Sequence, residues 1–265
     1  MIKYDFENKI VLVIAGSSGI GRELAIQFLK YRAKVCVISS SETKLKNLSN
    51  ECLNYKKNLI TKKFDLEKKR SLGVTKKIFK FIKKKFNSDI DILICNSGGP
   101  PPIKITNLDE YTLEKSLNMN LINQMYFAIN AISLMNKKGW GRIINILSST
   151  VKEPSKNMVL SNLTRSALCS FAKTLSLETA EKGVTVNNIL TGAVATSRLI
   201  KLLEKRVGKK KLKDELLRIE SDRPVGYLAT PENFVQIILF FSSEESSYIS
   251  GSSIFVDGGA SKSLF

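Results

Sequence analysis

A glycine-rich turn directly after an apolar run is the segment of this chain best suited to binding a ligand. It follows Ile10 to Ile14, leads into a segment of helical period, and consists of Ala15, Gly16, Ser17, Ser18, Gly19, Ile20 and Gly21. Glycines let the backbone approach a phosphate, and the free amides and partial positive charge of a helix N-terminus attract it. Read as G-x-x-x-G-x-G, the motif carries alanine at its first glycine. The turn predicts a site for the pyrophosphate of a dinucleotide.

The residues after the second apolar run bear on which dinucleotide is bound. An acidic side chain there bonds the ribose 2′-hydroxyl of NAD, whereas small polar or basic residues admit the extra phosphate of NADP. This chain has Ser39, Ser40 and Ser41 at that point, with Lys44 close behind. We therefore predict NADP as the cofactor. NAD stays an alternative, because three serines are also compatible with a plain polar loop.

The elements that must position these residues alternate along the chain. Short runs rich in Val, Ile and Leu alternate with segments of helical period, which is the pattern of βαβ units around a parallel sheet. Continuous apolar runs are typical of strands that helices cover on both faces. The predicted strands are Ile10 to Ile14, Val35 to Ile38, Leu59 to Phe64, Ile90 to Cys95, Ile143 to Leu147, Val184 to Leu190 and Ile254 to Val256. The sequence thus predicts an α/β protein with one domain over residues 1–265, a Rossmann fold with a doubly wound seven-stranded parallel sheet and helices on both faces.

Composition excludes several classes of function. The 265 residues include no histidine, which excludes Ser-His nucleophilic triads and His-ligated metal sites. The four cysteines are widely separated and form no Cys-x-x-Cys pair, so neither a disulfide framework nor a metal site is predicted. The first apolar run is much shorter than the roughly 20 residues of a membrane span. We predict a cytoplasmic protein that does not associate with membranes.

The net charge of +18 attracts polyanions without regard to their sequence. Lysines are spread over most of the chain, which favours a solvated basic surface over a nucleic-acid-binding face. A denser cluster lies in a helix-forming insertion near residues 197–223, where such a fold places an active-site lid. Its members are Lys201, Lys205, Arg206, Lys209, Lys210, Lys211 and Lys213. The cluster predicts either the steering of an anionic substrate or a solvated, mobile helix.

Further motifs occur in a fixed order along nearly the whole chain. Cys95-Asn96-Ser97-Gly98 follows the fourth predicted strand, Asn120 lies in NMNL, and Ser148 follows the fifth strand. The segments VTVNNILTGAVAT, residues 184–196, and SYISGSSIFVDGG, residues 247–259, complete the series. Together these motifs resemble the classical short-chain dehydrogenase/reductase family. The resemblance implies cofactor contacts at Asp65, Leu66, Asn96, Gly98, Thr191, Gly192, Val194 and Thr196.

The chain departs from this family at the centre of the site. The family's Tyr-x-x-x-Lys pair begins thirteen residues after its catalytic serine. In this chain the resemblance places Ser148 at that serine, and the same spacing leads to Ser161 and Arg165. An alkyl hydroxyl is a much weaker acid than a phenol, and a guanidinium is effectively always charged. The neighbouring segments NSGGPPP and LSNLTRSAL resemble an atypical branch with Ser-x-x-x-Arg, whose members are named as 3-oxoacyl-carrier-protein reductase-like proteins.

The remaining groups keep part of the family's chemistry. The resemblance implies that Asn120 and Ser148 polarise a substrate oxygen, while Arg165, one helical turn from Ser161, bonds ribose hydroxyls or a phosphate. A proton donor is missing. Lys152 is a candidate donor, because desolvation lowers the pKa of a lysine. Alternatively, Lys152 is a surface lysine paired with Glu153. A water held by Ser161 is the other candidate donor.

These observations predict an NAD(P)-dependent oxidoreductase that transfers a hydride between a nicotinamide cofactor and a carbonyl or alcohol substrate, such as a 3-oxoacyl thioester or a keto-sugar. The family resemblance implies a homo-oligomer, a tetramer or a dimer. The alternative is a dinucleotide-binding sensor or structural subunit that has lost turnover with the tyrosine and lysine. Oxidation of NADPH by a panel of carbonyl compounds distinguishes the two hypotheses.

Overall fold

Seven parallel strands form the sheet of the computed structural model, which describes residues 4–264. The strands are β1 Ile10–Ile14, β2 Lys34–Ser39, β3 Leu59–Lys63, β4 Ile92–Cys95, β5 Gly141–Ile146, β6 Val184–Thr191 and β7 Ser253–Val256. Their order is β3-β2-β1-β4-β5-β6-β7. The order reverses direction between β1 and β4, and ligands of such sheets bind at the carboxyl ends of the strands beside this point. Each predicted strand is present, so the Rossmann-fold prediction is confirmed.

Nine helices in the described part of the chain connect the strands. They are α1 Gly19–Lys30, α2 Glu42–Glu51, α3 Leu72–Phe86, α4 Glu110–Leu117, α5 Asn123–Lys138, α6 Val159–Thr179, α7 Ser197–Val207, α8 Leu212–Ser221 and α9 Pro231–Phe241. Helix α3 begins after Ser71, whose side chain caps the first turn by accepting a hydrogen bond from the amide of Val74. Ile78, Phe79, Ile82 and Phe86 of α3 are buried, whereas Lys83 and Lys84 are exposed.

The residues of each strand alternate between two apolar layers. In β1, Val11 and Val13 face a cluster formed with α1, α2 and α9, whereas Ile10, Leu12 and Ile14 face a cluster formed with α3, α5 and α6. Each fully buried side chain of this type contributes about 1.5–3 kcal/mol relative to its exposure. Helices therefore fix both faces of the sheet, and the loops at the carboxyl ends of the strands are held on a rigid support.

The predicted insertion near residues 197–223 forms α7 and α8, joined by a short turn at 209–211. The helix-forming prediction is confirmed, and the action of this segment as a lid stays a prediction. Within residues 4–264, no helix combines the length and the apolar character that crossing a bilayer requires.

Candidate active site

A cavity of about 420 Å³ opens where β1, β4, β5 and β6 end. Asn96 follows β4, Ser148 follows β5 and Thr191 ends β6, and all three line this cavity. A smaller cavity of about 170 Å³, lined by Ala15, Ser18 and Gly19, adjoins it. The two cavities share Ile20, Asn96, Ser97, Thr196 and Arg198. One cleft made of the two cavities therefore runs from the glycine-rich turn to the ends of β5 and β6.

The glycine-rich turn packs closely on itself and on Asn96 because Gly21 lacks a side chain. A Cβ atom on Gly21 would lie 2.8 Å from the carbonyl oxygen of Ala15 and 2.8 Å from Nδ2 of Asn96. Gly19 has φ of +55°, in the left-handed region that favours glycine. Ser18, at the N-cap of α1, makes no side-chain hydrogen bond to the helix, so the first amides of α1 remain available as donors. These features fit a pyrophosphate.

Ala15, which replaces the motif's first glycine, adopts a left-handed conformation with φ of +50°. A residue with a Cβ pays roughly 1–2 kcal/mol in this region. The carbonyl of Ala15 accepts a hydrogen bond from Nδ2 of Asn96 at 3.4 Å, which ties the turn to the end of β4. The turn thus keeps the conformation that a glycine would adopt, and the alanine carries strain.

We expect Ala15→Gly to stabilise the protein. The strain relieved in the folded protein is larger than the free-energy cost of the extra conformational entropy that glycine gives the unfolded chain. The free energy of unfolding therefore rises by about 0.5–1 kcal/mol. Urea denaturation measures this change. Ala25→Gly, within α1, is the matched control and lowers the free energy of unfolding by roughly 0.5–1 kcal/mol. An equal loss of stability in Ala15→Gly and Ala25→Gly would contradict the presence of strain at Ala15.

The ends of β2 and β3 form a basic surface near the glycine-rich turn. Ser17 Oγ donates to Ser39 Oγ at 2.6 Å, which joins the turn to the end of β2. Beyond Ser39, a cavity of about 320 Å³ lies among side chains that include three basic ones. Its lining consists of Ser40, Lys63, Phe64, Asp65, Lys68, Arg70 and Val74. Sequence reasoning identified Ser39, Ser40 and Asp65 but missed the basic residues, because lysine is abundant throughout the chain.

Asp65 and Leu66 lie beside this basic surface at the end of β3. Asp65 Oδ1 accepts a hydrogen bond from the amide of Glu67 at 3.0 Å. Leu66 is buried, and its carbonyl accepts a bond from Nδ2 of Asn123 at 2.8 Å. Asn123 begins α5, so this bond fixes the loop after β3 against the helix that follows β4.

Ser148, Ser161 and Arg165 meet in the larger cavity. Ser148 Oγ accepts a hydrogen bond from the amide of Thr150 at 3.3 Å, which leaves its own hydroxyl hydrogen free to donate elsewhere. Ser161 Oγ lies 3.4 Å from Thr150 Oγ1 and is almost fully buried. The predicted association of the two serines with the arginine is therefore present in the structure.

Arg165 is the principal charge inside this cavity. Only 8% of the residue is exposed; Nη1 donates to the carbonyl of Ile146 at 3.0 Å, while Nε is buried and has no partner within residues 4–264. Burial, and secondarily the positive charge of Arg198, lower the pKa of Arg165 to about 10. The guanidinium stays charged at neutral pH and has an unused donor.

Two predicted catalytic residues do not line the larger cavity. Asn120 is buried in a π-helical turn, where its Oδ1 accepts a hydrogen bond from Ser97 Oγ at 2.7 Å. Ser97 lines the cavity and Asn120 lies behind it, so direct contact between Asn120 and a substrate oxygen is not supported. Lys152 lies with its ammonium 5.3 Å from the centre of the Phe255 ring, also outside the cavity lining. Its role as proton donor stays a prediction without support from this geometry.

The predicted segment after β6 lines the cleft throughout, with Thr191, Gly192, Val194 and Thr196 among its lining residues. Thr191 donates from Oγ1 to the carbonyl of Leu147 at 3.0 Å. A Cβ on Gly192 would lie 2.7 Å from Cβ of Asp257, so the segment packs directly on the loop after β7. Gly98 lines the smaller cavity.

The polar residues Ser97, Arg198, Arg223 and Asp257 line the larger cavity but were not among the predicted site residues. Ser97 and Asp257 fall within motifs named above. Arg198 and Arg223 carried no distinguishing signal among 42 lysines and arginines. The lysines predicted to steer an anion do not line the cavity, and Lys201, Lys205, Lys209 and Lys210 are exposed.

Comparison with known proteins identifies the class to which this fold and site belong. The family model described as short chain dehydrogenase matches residues 9–207. A 3-oxoacyl-acyl-carrier-protein reductase of Buchnera aphidicola is 31% identical over 253 residues, which cover 96% of this chain and 97% of the relative. The NADPH-dependent reductase BacG of Bacillus subtilis is 26% identical over 97% of this chain and 99% of that protein.

Solved structures agree in fold. The crystal structure of YwfH, an NADPH-dependent reductase involved in bacilysin biosynthesis, superposes with a TM-score of 0.88 at 26% identity, over 97% of this chain and all of that chain. L-Sorbose reductase from Gluconobacter frateurii, crystallised with NADPH and L-sorbose, gives a TM-score of 0.91 at 23% identity, over 99% of this chain and all of that chain, which is a likeness of fold. This chain belongs to the short-chain dehydrogenase family, a family of oxidoreductases.

Proposed function

We propose that this protein is an NADP-dependent oxidoreductase that interconverts a carbonyl and an alcohol without a tyrosine proton donor. The observation that carries the proposal is the single cleft that joins the glycine-rich turn to Ser148, Ser161 and Arg165. Its lining within residues 4–264 includes no tyrosine and no lysine, so the chemistry falls to hydroxyl groups and guanidinium groups.

The residues that would hold the cofactor form a continuous path along the cleft. The amides at the start of α1 and the glycines of the turn suit a pyrophosphate, and Thr196 approaches the turn, since a Cβ on Gly19 would lie 3.3 Å from its Cγ2. The guanidinium of Arg165, which lines the cleft, suits a ribose hydroxyl. These placements support the cofactor contacts that the family resemblance implies.

NADP is favoured over NAD by the charges at the ends of β2 and β3. Glu42, an acidic residue close to the end of β2, is paired with Lys63 at 3.6 Å. Arg70 lines the adjacent cavity and has a buried Nε without a partner in the described part of the chain. A phosphate on the ribose would offer an acceptor to this basic surface, whereas a bare 2′-hydroxyl offers it no negative charge.

NADPH held by the amides at the start of α1 and by Arg165 would supply a hydride to the carbonyl carbon. The hydroxyls of Ser148 and Ser161 donate hydrogen bonds to the carbonyl oxygen, and Arg165 stabilises the negative charge that develops there. This charge stabilisation takes the place of early proton transfer from a phenol. The oxygen then receives its proton from a water held at Ser161 Oγ, and the hydroxide that this water leaves takes up a proton from solvent.

The proposal is tested by mixing the purified protein with NADPH and a panel of carbonyl compounds and following absorbance at the reduced nicotinamide band. We expect oxidation of NADPH by at least one class of carbonyl, and weaker binding of NADH. Tight NADPH binding without oxidation across a broad panel would favour the alternative sensor hypothesis. Failure to bind either dinucleotide would contradict both. A homo-oligomer and a cytoplasmic location stay predictions.

A further inference from the structure

Three arginines line the larger cavity: Arg165, Arg198 and Arg223. Within residues 4–264 none of them forms an ion pair with a carboxylate, although fourteen such contacts occur there. The acidic residue of the lining is Asp257, whose two carboxylate oxygens accept hydrogen bonds from the amides of Gly259 and Ser261. The cavity therefore holds more positive than negative charge.

Arg198 extends from the first turn of α7 toward the loop after β4. One of its Nη atoms donates to the carbonyl of Gly99, and a Cβ on Gly98 would lie 3.1 Å from Nη1. Arg198 as a whole is exposed, but its guanidinium lies against the protein, and this partial desolvation lowers its pKa. Its charge also contributes to the lowered pKa of Arg165, so the two guanidinium groups interact electrostatically across the cavity.

Arg223 lies at the end of the segment that holds α7 and α8. Its Nη1 donates to the carbonyl of Ile219, and its Nε is buried without a partner in the described part of the chain. Asp257, Asp222 and Glu220 lie near enough to raise the pKa of Arg223, but desolvation outweighs them and lowers it overall. Unused donors on Arg223 and on the buried Arg165 thus belong to side chains that line the same cavity.

We propose that the substrate is an oxo acid whose carboxylate binds to Arg198 and Arg223 while its carbonyl lies at Ser148 and Ser161. The inference rests on the carbonyl chemistry proposed above for the same cavity. Arginine presents paired donors that match a carboxylate, and unpaired guanidinium groups in a partly desolvated cavity are stabilised by an anion.

The rest of the lining restricts the substrate further. Pro100, Pro102, Met158, Leu199 and Leu202 supply apolar walls. A cavity of about 420 Å³ that must also admit the nicotinamide leaves room for a small molecule. These walls disfavour a keto-sugar, and a carrier-protein thioester has no free carboxylate for the arginines. A short oxo acid with an aliphatic chain satisfies both the charge and the walls.

Equilibrium binding to the whole protein saturated with NADP⁺ tests the proposal without requiring turnover. The probes are 4-methylpentanoate and 4-methylpentanamide, which have the same apolar chain and differ in charge. We expect the carboxylate to bind at least about 10-fold more tightly by calorimetry, as befits charge-assisted hydrogen bonds. Arg198→Gln and Arg223→Gln each reduce this preference, whereas Lys84→Gln, an exposed position at the far end of α3, retains it.

The outcomes separate the possible roles of these arginines. Equal binding of acid and amide, or binding of neither, overturns the proposal. The proposal is also overturned if Arg198→Gln weakens NADP⁺ binding but leaves the preference for the carboxylate over the amide unchanged. Arg198 would then bind the cofactor phosphates. Cofactor affinity, measured separately by NADPH fluorescence, shows whether a failure lies in the proposed dinucleotide function or in the anion site alone.

Discussion

Arg165→Met should yield a protein that unfolds less readily and binds NADP(H) less tightly than the parent. The guanidinium is buried, has a single hydrogen bond to the carbonyl of Ile146, and has no carboxylate partner within residues 4–264. An unpaired buried charge costs several kcal/mol in desolvation, which its one bond recovers only in part. We expect the free energy of unfolding to rise by about 2 kcal/mol in the variant.

The pH dependence has a definite sign. The pKa of Arg165 is lowered to about 10 in the folded protein, below its ordinary value of 12.5. Between these values the folded state binds fewer protons than the unfolded chain, so this residue's contribution to stability rises with pH across that window. Well below pH 10 the charge is fully present and its cost is constant. The gain in Arg165→Met should therefore be equal at pH 7 and pH 8.5 in urea denaturation.

Arg165→Met should lower the affinity for the cofactor, although it raises the free energy of unfolding. Loss of hydrogen bonds from a charged donor weakens NADP(H) binding by about 10- to 100-fold, measured by NADPH fluorescence. Arg165→Lys, which keeps a charge and a donor, is the matched control; it should lack the stability gain and retain part of the affinity. A variant Arg165→Met that is less stable than the parent, or that binds NADPH unchanged, would contradict this role for the arginine.

The fold was predictable because burial on both faces leaves a simple pattern. Most strands of the sheet are apolar runs, although β3 ends in two lysines, and the predicted bounds differ from the observed ones by at most two residues. The second and fifth strands extend beyond their predicted starts because Lys34 and Gly141 pair with neighbouring strands despite their poor fit to an apolar run. Backbone pairing determines where these strands begin, and the pattern of side chains does not reveal it.

The candidate site was predictable where it depended on local motifs and unpredictable where it depended on the packing of distant segments. The glycine-rich turn, Ser148, Ser161 and Arg165 meet as expected. Asn120 was expected at the substrate oxygen, but the π-helical turn places it behind Ser97. Arg198 reaches the loop after β4, 99 residues away in the chain, and no motif records such a contact.

Gly21→Ala should reduce dinucleotide affinity more than any other single methyl group added to the turn. The new Cβ would lie 2.8 Å from the carbonyl oxygen of Ala15, a backbone atom that cannot move without moving the turn. The same Cβ would lie 2.8 Å from Nδ2 of Asn96, whose hydrogen bond to Ala15 ties the turn to β4. Overpacking of this kind costs about 1–3 kcal/mol, or roughly a 10- to 100-fold loss of affinity if the strain falls on the bound conformation.

Gly73→Ala provides the control for this prediction. Gly73 lies in α3, where the nearest atom to an added Cβ is Ser71 Oγ at 3.8 Å, and the higher helix propensity of alanine should stabilise the protein by up to about 1 kcal/mol. NADPH fluorescence titration of both variants, with urea denaturation of each in the absence of ligand, separates an effect on the turn from a general loss of stability. If Gly21→Ala bound NADPH as tightly as the parent, the turn would be able to adapt to a side chain at this position. Cofactor binding would then not depend on close packing of the backbone at Gly21.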